Sequence, residues 1–297
     1  MTRIEGRPRA VLIAGATASG KSALALRLAG ELGGAVVNAD SMQVYRELEI
    51  LTARPGPGET AQIPHRLYGH VPAATAYSVA AWRADVAREL EALDAAGLVP
   101  VLTGGTGLYL RSLLQGLSAV PSIPDEVRSA WRGRLAAEGA PALHRVLAER
   151  DPAAAARLEP GDGQRIVRAL EIVEATGRTL GDFAREPGLP PLLSGPDVER
   201  IVLAVPRAAL HARIDRRFRQ MVEAGALAEA ERFDALGLDP ALPASRAIGL
   251  RPLAAAARGE IDLEAAIRQG QAETRQYAKR QETWFRNQMA DWTRWPA

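Results

Sequence analysis

Gly15-Ala16-Thr17-Ala18-Ser19-Gly20-Lys21-Ser22 is the stretch on which the fold of this chain turns. Glycines frame the loop and Lys-Ser closes it, the pattern of a phosphate-cradling P-loop. The apolar run Ala10-Val11-Leu12-Ile13-Ala14 precedes it, and Leu24, Leu28 and Leu32 follow at helical spacing, so strand, loop and helix come in order. Gly15 and Gly20 permit backbone angles and a phosphate approach that a side chain would block, while the free N–H groups of a helix start face the anion. Lys21 supplies positive charge and Ser22 a hydroxyl able to ligate Mg²⁺. Among 37 Lys and Arg residues only Lys21 and Lys279 are lysines, so a lysine at this position is not background composition. The loop predicts binding of a pyrophosphate-bearing ligand.

The chain has 297 residues, more than one compact domain usually holds, which predicts a main domain with an insertion or appended piece. Hydrophobic content of 47% and charged content of 24% are ordinary for a soluble globular protein, and no apolar stretch approaches the ~20 residues that span a bilayer. The opening Met1-Thr2-Arg3-Ile4-Glu5-Gly6-Arg7 carries no signal-peptide core, so a cytoplasmic protein with no membrane association is expected. Zero cysteines exclude disulfides and thiolate zinc sites. A net charge of +2 does not by itself call for nucleic acid, so such a partner has to be argued from local clusters.

Residues 10–120 alternate apolar strands with helical patterns. Ala35–Asp40 reads as a strand, Ser78–Ala96 as a helix, and Val99–Thr103 as a strand opening into Gly104-Gly105-Thr106-Gly107. This rhythm predicts an α/β fold, a P-loop NTPase-like parallel sheet flanked by helices. Near Pro121 the pattern becomes helical only, with segments Asp125–Glu138, Ala140–Arg150 and Gly163–Thr176, and it ends in the Pro/Gly-rich stretch 186–196. Ile201–Val205 then restores a strand. The expected organisation is a discontinuous catalytic core, 1–120 and 196–297, around an all-α insertion domain, 121–195. From Ala209 the reading is helical to the end of the chain, including a long helix near Asp262–Asn287.

Asp40 ends the strand after the P-loop helix, and in open α/β sheets neighbouring carboxyl ends converge on one crevice. Three roles stand open for it: Mg²⁺ ligand, general base for an acceptor, or cap of the turn Asp40-Ser41-Met42-Gln43. A Walker-B acid is missing from Val101-Leu102-Thr103, which favours acceptor contact for Asp40. Gly104–Gly107 either brings backbone and the Thr106 hydroxyl to the ligand or is a plain turn. Arginines cluster at Arg165/Arg168, Arg213/Arg216/Arg217/Arg219, Arg246/Arg251 and, with Lys279, Arg275/Arg280/Arg286. Each cluster is either a phosphate contact or a solvated face. Tyr277, Trp284 and Phe285 interleave with the last cluster, as stacking partners for bases or as core. His65 and His70 lack a second histidine at ligand spacing and read as structural.

These pieces together resemble one family, the tRNA dimethylallyltransferases, also called tRNA isopentenyltransferases. The likeness runs through GATASGKS at 15–22, ADSMQVYRELEILTARP at 39–55, PHRLYGHV at 64–71, GGTGLYLRSLLQGL at 104–117, GDGQRIVRALEI at 161–172, SRAIGLR at 245–251 and AKRQETWFRNQ at 278–288. The resemblance implies that the P-loop, through Gly15, Thr17, Ala18, Ser19, Gly20, Lys21 and Ser22, holds dimethylallyl diphosphate with Mg²⁺ rather than hydrolysing ATP. It implies transfer of the dimethylallyl group to N6 of adenosine-37, beside the anticodon of tRNA. Asp40 is then the general base and Thr106 lies near the reacting centre, with Arg213 and Arg217 near the diphosphate. The tRNA anticodon stem-loop is expected to meet Asp40, Ser41, Met42, Gln43, Thr106, Arg128, Gln164, Arg165, Ile166, Val167, Arg168, Arg246, Arg251, Lys279, Arg280 and Arg286, and the enzyme to act as a monomer. Ala16 stands where the family commonly has proline, and Met42 where arginine is common. Three other readings are a P-loop small-molecule kinase, a prenyltransferase acting on free adenine nucleotide, and an RNA-binding module with a degenerate loop. ATP turnover separates the first from the family reading.

Overall fold

The computed structural model describes Ile4 and Gly6–Ala297; Met1, Thr2, Arg3 and Glu5 of the opening stretch lie outside the described residues. The chain forms two compact units, one of Met1–Leu114 with Leu192–Ala297 and one of Gln115–Pro191.

In the first unit, β1 (Ala10–Gly15) runs into the P-loop and α1 (Lys21–Leu32), followed by β2 (Gly34–Asn38), α2 (Pro57–Thr60), β3 (His65–Arg66), α3 (Val79–Ala95), β4 (Val99–Gly104) and α4 (Gly107–Gln115). The second unit holds α5 (Asp125–Glu138), α6 (Ala140–Arg150), α7 (Pro152–Ala155), α8 (Gly163–Thr176) and α9 (Leu180–Ala184). The chain then returns to the first unit with β5 (Val198–Ala204), α10 (Arg207–Glu223), α11 (Ala226–Asp234), α12 (Leu250–Ala257), α13 (Leu263–Gln288) and β6 (Thr293–Pro296).

The six strands form one sheet in the order β3-β2-β4-β1-β5-β6, each pair parallel. Parallel strands buried on both faces read as continuous apolar runs, and β1 is buried at every position. Its alternate side chains serve two cores. Val11 and Ile13 pack with Ala25, Leu28 and Ala29 of α1, together with Val36 and Val101. Ala10, Leu12 and Ala14 belong to the larger core, which includes Trp82 and Val86 of α3 and Leu110 and Leu113 of α4. Each fully buried Leu or Ile contributes about 1.5–3 kcal/mol, so packing on both faces anchors the strand tip from which the P-loop springs.

Two strands escape the sequence reading. The helical expectation from Ala209 to the end of the chain fails at β6, which pairs with β5 in the register Ile201↔Thr293 to Ala204↔Pro296. Four residues give too short a run for alternation to register; Trp295 enters the α1-side core and Trp292 the other, and these two anchors set the edge strand. Arg294 closes the preceding helix by donating to the carbonyls of Phe285 and Met289. His65, read as structural, lies in the two-residue strand β3, paired with Val36.

In the second unit α5, α6 and α8 span the expected residues, and Trp131, Leu143, Leu147, Ile166 and Leu170 form their shared core. The unit begins at Gln115 and closes at Pro191, whereas the composition change points to 121 and 195. Leu117 and Leu189 pair through reciprocal backbone hydrogen bonds at the neck, drawing the flanking residues into this unit.

Candidate active site

The P-loop geometry follows from its glycines and from one strained alanine. Gly20 caps α1 with φ 94°, a left-handed conformation that favours glycine. Ala18 is also left-handed, at φ 65°, which costs a non-glycine residue about 1–2 kcal/mol. Backbone strain of this kind concentrates at ligand-binding loops. Ser19 N–H donates to the Ala16 carbonyl, and the buried Ser19 hydroxyl has no hydrogen-bond partner. Such an orphan suits a ligand oxygen.

At the tip of β2, Asn38 is fully buried and fixes Asp40 from both sides. Its Oδ1 accepts the Asp40 N–H at 2.8 Å, and its Nδ2 donates to the carbonyls of Asp40 and Leu67, each at 3.0 Å. Trp82 Nε1 in turn donates to the Asn38 carbonyl. The capping role weighed for Asp40 is realised with one oxygen, since Oδ1 accepts the Met42 N–H at 2.9 Å. The other oxygen faces Gly105, where an added Cβ would lie 3.2 Å from it. Asp40 therefore caps its turn and still presents a carboxylate oxygen to the site.

The glycine run after β4 is more than a turn. A Cβ on Gly105 would stand 2.2 Å from Gln281 Nε2, and the ring of Trp284 covers Gly107. Thr106 Oγ1 accepts the Ser41 N–H at 2.9 Å and donates to Ser41 Oγ at 3.2 Å, tying the β4 tip to the β2 tip.

Electrostatics bring α1, β2 and α10 together. Burial pushes the Lys21 ammonium down to about 8; the Asp40 carboxylate opposes that shift and the Arg217 guanidinium adds to it. Arg217 is itself lowered, mainly by burial, against the pull of Glu59 and Asp40. Burial pushes the phenols of Tyr68 and Tyr277 up, with the Asp40 charge adding to both. Arg213 Nη1 reaches the Ser19 carbonyl at 3.5 Å. Lys21, Asp40 and Arg217, each half-buried, thus lie within electrostatic reach of one another at the carboxyl edge of the sheet, where α/β sheets bind ligands.

Among the described residues no group of three or more His, Asp or Glu side chains could hold a metal. Mg²⁺ keeps several waters and leans on substrate phosphates, and the exposed Ser22 hydroxyl at the start of α1 suits that arrangement.

Of the residues singled out by sequence, the structure gathers Gly15–Ser22, Asp40, Ser41, Thr106, Arg213 and Arg217. Gln43 is occupied internally, donating to the carbonyls of Thr52 and Ala53, and Met42 packs partly against the core. Arg246, Arg251, Lys279, Arg280 and Arg286 are exposed on the first unit, with Arg280 over the Tyr277 ring. On the second unit Gln164, Arg165 and Arg168 are exposed and Arg128 is half-buried; Arg165 pairs with Asp162 at 3.2 Å and Arg168 with Glu171 at 3.6 Å. Ile166 and Val167 are a correction: both side chains lie in that unit's core, on the inward face of amphipathic α8. Phe285 is likewise core rather than a base-stacking surface. Sequence reasoning missed Asn38, Glu59, Tyr68 and Gln281, and left Tyr277 open between base stacking and core. The block 278–288 contained Gln281, but nothing in its spacing marks that amide.

The sequence model of the family described as IPP transferase matches residues 43–288, and that described as isopentenyl transferase matches 8–70. A tRNA dimethylallyltransferase of Nitrobacter hamburgensis is 57% identical over 98% of this chain and 91% of its own length. One from Bradyrhizobium is 55% identical over 95% and 92%. Among solved structures, the tRNA isopentenylpyrophosphate transferase of Bacillus halodurans superposes with a TM-score of 0.68 at 33% identity, covering 98% of this chain and 90% of that one. A eukaryotic dimethylallyltransferase acting on tRNA superposes with a TM-score of 0.79 at 27% identity, covering 97% and 73%. With its phosphate loop, its strand-tip carboxylate and likeness along nearly its whole length, the chain belongs to the IPP transferase family.

Proposed function

We propose that this chain transfers a dimethylallyl group from dimethylallyl diphosphate to N6 of adenosine-37 in tRNA, releasing diphosphate. The supporting observation is the convergence of the P-loop and the Asp40 edge at one end of the sheet: Gln281 bonds both Thr17 and Gly105, Gly105 borders Asp40 Oδ2, and the Asp40 charge acts on Lys21 and Arg217. Cations there bind a leaving diphosphate, and a carboxylate beside them accepts a proton from the incoming amine. The likeness to relatives that are tRNA dimethylallyltransferases supports the acceptor and the reaction class.

An exocyclic adenine amine attacks poorly because its lone pair is delocalised into the ring. As the bond from N6 to the allylic C1 forms, the bond from C1 to the diphosphate oxygen breaks with its electron pair, and Asp40 takes the N6 proton. Base catalysis of this kind contributes about 10²–10⁴ in rate. Lys21, Arg213, Arg217 and the loop N–H groups stabilise charge growing on the diphosphate. Ser22 would hold Mg²⁺ together with diphosphate oxygens, and the ion would supply further charge neutralisation there. Thr106 holds the Ser41 backbone beside Asp40 and so sets the acceptor side.

Adenosine-37 lies in a loop, where extruding a base costs less than in a duplex. Contacts with the anticodon stem-loop are assigned to exposed Arg246, Arg251, Lys279, Arg280 and Arg286 on the first unit, and to Arg128, Gln164, Arg165 and Arg168 on the second. A monomer working in the cytosol completes the proposal. The test is incubation with unmodified tRNA, dimethylallyl diphosphate and Mg²⁺, followed by mass spectrometry of the nucleosides. Prenylated adenosine at position 37 is expected; substrate-dependent ATP turnover without it would return the chain to the kinases.

A further inference from the structure

Gln281 lies on α13, 264 residues from the P-loop, and is 5% exposed. Its Oε1 accepts the Thr17 N–H at 2.9 Å, and its Nε2 donates to the Gly105 carbonyl at 2.9 Å. The amide can be oriented in one way only, because a backbone N–H needs an acceptor and a carbonyl needs a donor. Gly105 admits it by lacking a side chain, and the same glycine borders Asp40 Oδ2. One turn earlier on α13, the Tyr277 phenol lies beside Thr106 and Gln281. One buried amide thus joins the loop that cradles the donor to the edge that carries the acceptor's base.

We infer that Gln281 is a positioning residue for the transfer: it fixes the gap between the Thr17 segment of the P-loop and the Gly105–Asp40 edge, and so the distance between the departing diphosphate and the attacking nitrogen. This rests on the proposed prenyl transfer. Gln281 touches neither reacting atom. Its effect is on geometry, where a displacement of about 1 Å can cost about a hundredfold in rate.

Another buried glutamine serves as the control. Gln271, on the same helix and 8% exposed, donates Nε2 to the Asp215 carbonyl at 2.9 Å and makes no P-loop contact among its described hydrogen bonds. Gln281→Met removes both bonds at similar volume. Gln281→Glu keeps an acceptor for Thr17 N–H but sets a carboxylate oxygen against the Gly105 carbonyl, and stands in if the methionine variant does not fold. The expected result is a fall in kcat of about tenfold to a hundredfold, with KM for dimethylallyl diphosphate within about threefold of wild type, as for loss of a contact that matters chiefly in the transition state. Hydrogen exchange of the peptide bearing Thr17 should accelerate at least about tenfold. Gln271→Met should move neither readout. An unchanged kcat, a loss equal to that of Gln271→Met, or unchanged exchange at Thr17 overturns the inference. If wild-type protein prenylates no tRNA, the proposed function fails instead, and exchange at Thr17 still decides whether the amide tie holds the loop.

Discussion

Raising the pH from 7 to 9 should weaken donor capture through a single group, Lys21. Removing its ammonium from water lowers its pKa to about 8; the nearby Asp40 carboxylate recovers part of that shift and Arg217 adds to it. The side chain is then about nine-tenths charged at pH 7 and about one-tenth charged at pH 9. A charge-assisted hydrogen bond to a phosphate oxygen contributes about 1.5–3 kcal/mol, so the neutral amine should hold the donor at least roughly tenfold more weakly. At saturating tRNA, kcat/KM for dimethylallyl diphosphate reports the groups of donor-free enzyme. It should fall about fivefold to tenfold between pH 7 and 9 with a midpoint near pH 8. Tyr68 and Tyr277 cannot produce this limb, because burial pushes their phenols up and out of the window. The stability of the donor-free protein runs the other way. The folded pKa lies below the unfolded value of 10.5, so between about pH 8 and 10.5 the unfolded chain binds more protons and this group's contribution to stability rises with pH. A profile flat from pH 7 to 9, or the same limb persisting in Lys21→Ala, would refute the reasoning.

Asp40→Asn keeps an oxygen for the Met42 N–H and so preserves the turn, but removes the base; turnover should drop about 10²–10⁴ while tRNA affinity, read by filter binding, stays within about threefold. Glu229 is buried and accepts the N–H groups of Glu49, Ile50 and Leu51 at 2.8–2.9 Å, holding the segment after Asp40 in place. Glu229→Ala should lower the unfolding free energy by about 2–4 kcal/mol in denaturant titrations, because it strands three donors, and Glu229→Gln should lose less. Replacing Arg165 and Arg168 together by Ala should reduce the slope of log affinity for tRNA against log salt by up to about 1.8; an unaltered slope would leave both as partners of Asp162 and Glu171 alone.

Much of this architecture is local and was therefore legible in the sequence. β1, the P-loop and α1 follow from an apolar run, two glycines and leucines at helical spacing, and α5, α6 and α8 follow from periodicity, because each of these signals spans only a few turns of chain. The seven blocks carried the resemblance for the same reason, as ordered short motifs. What only the tertiary structure decided depends on residues far apart in the chain. Gln281 meets Thr17, and Glu229 meets Glu49 across 180 residues, contacts to which no periodicity points. Ile166 and Val167 sit inside a motif whose neighbours face solvent, and only packing of α8 against α5 and α6 turns them inward. β6 exists because β5 offers an open edge and Trp295 a place in the core, a fact of pairing rather than of its own four residues. Propensity and pattern act over neighbours in sequence, whereas a site is made of distances that exist only once the chain has closed on itself.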